Sequence, residues 1–223
     1  MSARFPATTG RGEAARRRIL DAAVELAALE GLSGLTIGKL ADALGMSKAG
    51  LFGYFGSKEE LQLATVAAAE AVFLERVIEP AMRAPEGLPR LVALCTHWLA
   101  YAAGTLKGGC FFMAAAADVD GHPGPLRDRV AFTMRSWLAA LEGAIAAARE
   151  AGHLADDVEP AQLAFELNAL EIAAAWSRQL LDDPSAADRA RRAMFERIAS
   201  ATTRAGKRVL DAAESQLAAA PAS

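Results

Sequence analysis

Apolar residues recur every three or four positions along most of this chain, and glycine or proline punctuates them at intervals. That is the period of helices with one buried face. Ile19, Ala23 and Leu26 predict a helix over about 13–30, stopped by Gly31. Thr36 is placed to cap a second helix with Ile37, Leu40, Ala41 and Leu44 on one side, ending at Gly45. Ser47 caps a short third helix, Lys48 to about Phe55, stopped by Gly56. Ser57 with Glu60 three residues on is a capping box for a fourth helix, which Pro80 is expected to break after about Glu79.

The later pattern predicts longer helices. Leu91, Cys95 and Trp98 form a stripe running to about Gly104, and Gly108-Gly109 breaks the chain before a short apolar helix, Phe111 to Ala117. After the turn cluster Asp120–Pro125 comes the clearest helix, with Leu126, Val130, Met134, Trp137, Leu141 and Ile145 on one face. Pro160 opens a helix to about Leu181 that is apolar on two sides: Leu163, Leu167, Leu170 and Ala174 on one, Phe165, Ile172 and Trp176 on the other. A last helix is expected to about Ala205. No long run alternates β-branched with polar residues. The expectation is an all-α protein of about nine helices: a disordered arm at 1–12, a three-helix domain at 13–60, a larger helical domain at 61–205, and a tail at 206–223.

Composition supports helix, since much of the 53% apolar content is alanine. Net charge is −3 overall, yet residues 1–58 carry +3 and the remainder −6. A basic head on an acidic body suits contact with phosphate at one end only. The longest apolar run, Cys110–Ala117, is far below the roughly 20 residues a membrane span needs, and no signal peptide is visible. A cytoplasmic protein is expected. Cys95 and Cys110 have no metal-ligand spacing and read as buried core thiols. His97, His122 and His153 show no pairing with a nucleophile or carboxylate cluster, so no catalytic set, cofactor or metal is expected.

Residues 36–55 have the organisation of a helix-turn-helix. Leu44-Gly45-Met46-Ser47 makes the tight turn, and the third helix opens with small or basic residues, which let a backbone approach base edges in the major groove. The stretch Thr36-Ile-Gly-Lys-Leu-Ala-Asp-Ala-Leu-Gly-Met-Ser-Lys-Ala-Gly-Leu-Phe-Gly-Tyr-Phe-Gly-Ser-Lys-Glu-Glu-Leu61 resembles the tetracycline-repressor (TetR) family of bacterial regulators, and the likeness runs over 13–61. It departs from the pattern in two places: Phe52 stands where tyrosine is usual, and Gly53 offers no side chain.

The resemblance implies a homodimer on operator DNA. Thr36 and Lys39 would meet the phosphate backbone, Ser47, Lys48, Ala49 and Gly50 would face the groove, Phe52 would rest on a thymine methyl or sugar, and Tyr54 and Lys58 would reach further phosphates. It also implies a small-molecule effector in the body, with Cys95, Trp98, Tyr101, Phe111, Phe112, Met113, Phe132, Trp137 and Trp176 as candidate pocket residues. Leu163, Leu167, Leu170, Ala174, Met194 and Ile198 are the candidate dimer face. A repressor released by an apolar ligand is the expected function. A ligand-free architectural DNA binder and an enzyme using the aromatic cavity are the alternatives.

Overall fold

The computed structural model describes residues 10–219, so most of the arm expected at 1–12, with Arg4, and the last four residues lie outside it. The head comprises α1 (Gly10–Gly34), α2 (Ile37–Leu44) and α3 (Lys48–Phe52). A long connecting helix, α4, follows as Lys58–Phe73, a π-helical turn Leu74–Ile78 and a last turn Glu79–Met82. The body adds α5 (Leu88–Gly104), α6 (Phe111–Val119), α7 (Pro125–Glu150), α8 (Pro160–Leu181), α9 (Ala186–Ala201) and α10 (Arg204–Ala219). Among the described residues the only β pairing is an isolated bridge between Leu154 and Thr202.

The predicted caps do what their chemistry requires. The Thr36, Ser47 and Ser57 hydroxyls accept the backbone N–H of Lys39, Gly50 and Glu60. The Glu60 carboxylate reaches back to the Gly56 N–H at 2.9 Å. Gly45 is left-handed at φ 63°, and Met46 N–H closes on Ala41 O at 2.9 Å. These are the two marks of a glycine-terminated helix, and they set the sharp reversal into α3.

Four boundaries differ from expectation. α1 begins at Gly10, inside the stretch expected to be disordered. α3 stops at Phe52, because Gly53 weakens the next turn and Phe55 leaves the helix to be buried beneath it. α4 runs through Pro80. The Glu79 N–H bonds to Leu74 O, five residues back, so the ladder has already widened where proline lacks an N–H and its ring would strike the preceding turn. Lastly, 206–219 is no tail: α10 packs against α5 and buries Leu210 and Ala213. Its start is pinned by Thr203, whose hydroxyl accepts Gly206 N–H at 3.0 Å and donates to Gly152 O at 2.7 Å.

Head and body meet through α6 and α4. α6 lies along α1, and Gly108 comes so close that a Cβ there would sit 2.1 Å from Ala28 O. The turn 31–34 receives three side chains. Asp118 of α6 accepts Ser33 N–H at 2.9 Å, while Lys58 and Gln62 of α4 donate to Ser33 O at 3.2 Å and Leu32 O at 2.7 Å. A shift of either helix relative to the other is therefore felt at one turn, immediately before α2.

Candidate nucleic-acid interface and effector chamber

The outer surface of α3 and its cap is built from Ser47, Lys48, Ala49, Gly50 and Phe52, all exposed, while Leu51 is buried against the head core. Three neighbours without bulk (Ser47, Ala49, Gly50) leave the helix backbone accessible, and the Phe52 ring stands 51% exposed beside them. An exposed ring of that size on a five-residue helix contributes nothing to the core. The Lys48 side chain folds back towards α2, where a Cβ placed on Gly38 would lie 3.6 Å from its Nζ.

The remaining predicted contact residues are less free. Lys39 is ion-paired with Glu30, and Lys58 is hydrogen-bonded to Ser33 O. Each must exchange an internal partner to reach a phosphate. Thr36 has its oxygen engaged as a cap and keeps its hydroxyl proton to offer. Tyr54 is half-buried and packs on the head core. Arg16, Arg17 and Arg18 are exposed on α1, with the Arg16 guanidinium 5.3 Å from the Phe55 ring centroid.

The body core is organised round Phe73 of α4. Tyr101, Phe112 and Trp137 each meet its ring edge-to-face, at centroid distances of 5.3, 5.8 and 5.5 Å. Beside it lies a small chamber of about 20 Å³, lined by Phe73, Trp98, Cys110, Phe112, Met113, Thr133, Met134, Trp137 and Asn168. That is room for about one water. Of the expected pocket residues, Trp98, Phe112, Met113 and Trp137 line it. Cys95, Tyr101 and Phe111 are buried just behind it as core.

Phe132 and Trp176 do not belong to the pocket, being 59% and 55% exposed. Phe132 is five residues from Trp137, about 140° round the helix, so both cannot face inward. Trp176 is about 200° from the buried Ala174 for the same reason.

Reading by stripe missed Phe73, Cys110, Thr133, Met134 and Asn168. Phe73 was legible, because Leu61, Val66, Ala69 and Phe73 all fall on the inner face of α4. It missed Glu171 too, a carboxyl wholly buried on the inner face of α8. Trp137 Nε1–H donates to its Oε2 at 3.0 Å, and burial pushes its pKa well above the usual carboxylate range. Burial raises both thiols as well, Cys110 to about 11, so neither is a ready nucleophile. Among the described residues no cluster of three potential metal ligands occurs, and no helix is long and apolar enough to cross a membrane.

Of the expected dimer face, Leu163, Leu167, Met194 and Ile198 are buried within the chain, where α8 packs on α5, α7 and α9, whereas Leu170 and Ala174 line a groove between α8 and α9. The side of α8 left outward is the aromatic one: Phe165, Ile172, Trp176 and Leu180, the first 66% exposed. Next to it a groove of about 240 Å³ between α8 and α9 is lined largely by alanine, including Ala173, Ala186, Ala190 and Ala193.

Residues 19–65 match the family model for bacterial regulatory proteins of the tetR family, and 87–194 match that for the tetracyclin repressor-like C-terminal domain. No curated protein matches the sequence. Solved structures do. A TetR transcriptional regulator from Chloroflexus aurantiacus aligns with a TM-score of 0.80 at 23% identity, covering 87% of this chain and 98% of its own. A regulator from Saccharomonospora viridis in complex with choline aligns at 0.74 and 23% identity, over 86% of this chain and 100% of its own. AibR, in complex with isovaleryl coenzyme A and operator DNA, aligns at 0.66 and 23% identity, over 83% and 97%. At such identities the structures speak for the fold, while the two sequence models, which together span head and body, speak for the lineage: the chain belongs to the TetR family of bacterial transcriptional regulators.

Proposed function

We propose that this regulator is a cytoplasmic homodimeric repressor, released from its operator by a small molecule that enters the aromatic chamber. The observation that carries the reading is the outer face of α3, where a small-residue surface with Lys48 and a solvent-exposed Phe52 is held rigidly by two helix caps. Such a surface suits approach to base edges, and the exposed arginines of α1 suit the phosphates beside them.

The aromatic stripe of α8 and the alanine groove beside it favour a second copy as the partner, since an unpaired row of Phe165, Ile172, Trp176 and Leu180 is costly in water. Release follows from the joint at 31–34. A ligand that parts Phe112 and Trp137 from Phe73 moves α6 and α7 against α4, and α6 and α4 both bond to that turn. Two recognition helices that no longer match half-sites about 34–36 Å apart lose the operator. AibR with its coenzyme A ester and DNA, and the choline-bound regulator, are precedents for ligand control in this fold.

Selection of bound sequences from random duplex DNA tests the proposal. A palindrome is the expected result. Binding without sequence enrichment would replace it with the architectural reading.

A further inference from the structure

The chamber's lining carries no charged side chain, but a buried acid is hydrogen-bonded to its wall at Trp137. Glu171 lies one turn beyond Asn168 on α8, fully buried, and its Oε1 has no hydrogen-bond partner. The hydroxyl of Tyr101 is likewise buried without a partner. Unsatisfied buried polar atoms are rare and costly, and a carboxyl is among the costliest.

Nothing cationic answers it. The chamber walls are four aromatic rings, two methionines, a thiol, a hydroxyl and an amide. From α5, the group facing Glu171 is the Cys95 thiol, and before α6 the Cys110 thiol, the pKa of both raised by burial. His97 of α5 is influenced by Arg83 instead. From α7 comes only the Trp137 indole N–H, because Arg129 is held by Glu70 of α4, which also accepts from Thr133. From α9, Arg197 and Arg189 are engaged by Glu166 and Asp183.

Aromatic rings attract cations, and a desolvated carboxylate is stabilised only by a matching positive charge. We propose that the effector is a compact organic monocation, a substituted ammonium, whose charge lies between the rings of Phe73, Trp98, Phe112 and Trp137 and the free oxygen of Glu171. This rests on the reading that the body is the sensing site. Entry requires the chamber to enlarge, and Met113 and Met134, half-buried in its wall, are flexible enough to yield. Burial favours the protonated form of Glu171, so a cation bound beside it displaces that proton. The proton leaves to solvent, and affinity rises with pH until the empty site ionises unaided.

The test uses the full-length protein with phenyltrimethylammonium and tert-butylbenzene, which has the same shape with carbon in place of the charged nitrogen. Tryptophan fluorescence reports occupancy through Trp98 and Trp137, and calorimetry in two buffers of different ionisation enthalpy counts protons. The expected result is at least tenfold tighter binding of the cation, release of up to about one proton, and loss of the preference in Glu171→Gln, which still accepts from Trp137. Equal or tighter binding of the hydrocarbon, cation binding without proton release, or binding of neither compound overturns the proposal. Operator binding by the same preparation separates the two readings. A protein that selects a palindrome but ignores the cation loses only the effector assignment.

Discussion

Gly31 is the residue on which the joint between head and body turns, and Gly31→Ala tests that joint. Its backbone stands at φ 76°, ψ 167°, a region open essentially to glycine alone. Forcing alanine into it costs about 1–3 kcal/mol. The new Cβ would also lie 2.2 Å from Asp118 Oδ2, the atom that accepts Ser33 N–H. Displacing that carboxylate loses an exposed hydrogen bond worth about 0.5–1.5 kcal/mol. The sum, about 1.5–4.5 kcal/mol, corresponds to a fall of about 3–18 °C in Tm for a chain of this size. Tm should be read by circular dichroism at one fixed protein concentration, because the stability of the proposed dimer would depend on it. Asp118→Ala alone should cost about 1 kcal/mol, and the double variant should cost less than the two singles together, because both remove the same bond. An unchanged Tm in Gly31→Ala, or strict additivity of the pair, would refute the account of this contact.

Other consequences are as direct. Lys58→Ala should weaken binding to every DNA sequence and lower the slope of log affinity against log salt by about 1, whereas Lys48→Ala should change the preferred sequence; filter binding across a salt series reads both. Trp176→Glu, or Phe165→Asp, should convert the protein to a monomer in sedimentation at micromolar concentration while leaving its helix content intact, whereas a persisting dimer would move the interface elsewhere. Glu171 binds its proton more tightly folded than unfolded, so its contribution falls as pH rises from about 4.3 towards its native pKa. Glu171→Gln should therefore gain stability over the parent as pH goes from 5 to 8 in urea unfolding, and a difference independent of pH would remove the buried acid from the picture.

The sequence by itself determined the local architecture. Caps at Thr36, Ser47 and Ser57, the left-handed turn at Gly45 and the apolar period of α2 are interactions between residues a few positions apart, so the helix-turn-helix was readable before any tertiary contact was known. The same locality explains why Ser47, Lys48, Ala49 and Phe52 fall on the exposed face that their spacing predicts, whereas Tyr54, expected outward, is half-buried beyond the end of α3. What the spacing left open were choices among distant partners. α8 has two apolar faces, and which one the chain buries depends on α5, α7 and α9, whose packing took the leucines and left the aromatic stripe outside. The helix at 204–219 gains its place from a hydroxyl and a backbone carbonyl about fifty residues earlier, so its short amphipathic signal read as a tail. Nothing in the spacing singled out Glu171. Only the arrival of Trp137 from α7 made it a buried acid, because burial belongs to the assembled layer of helices and not to any one of them.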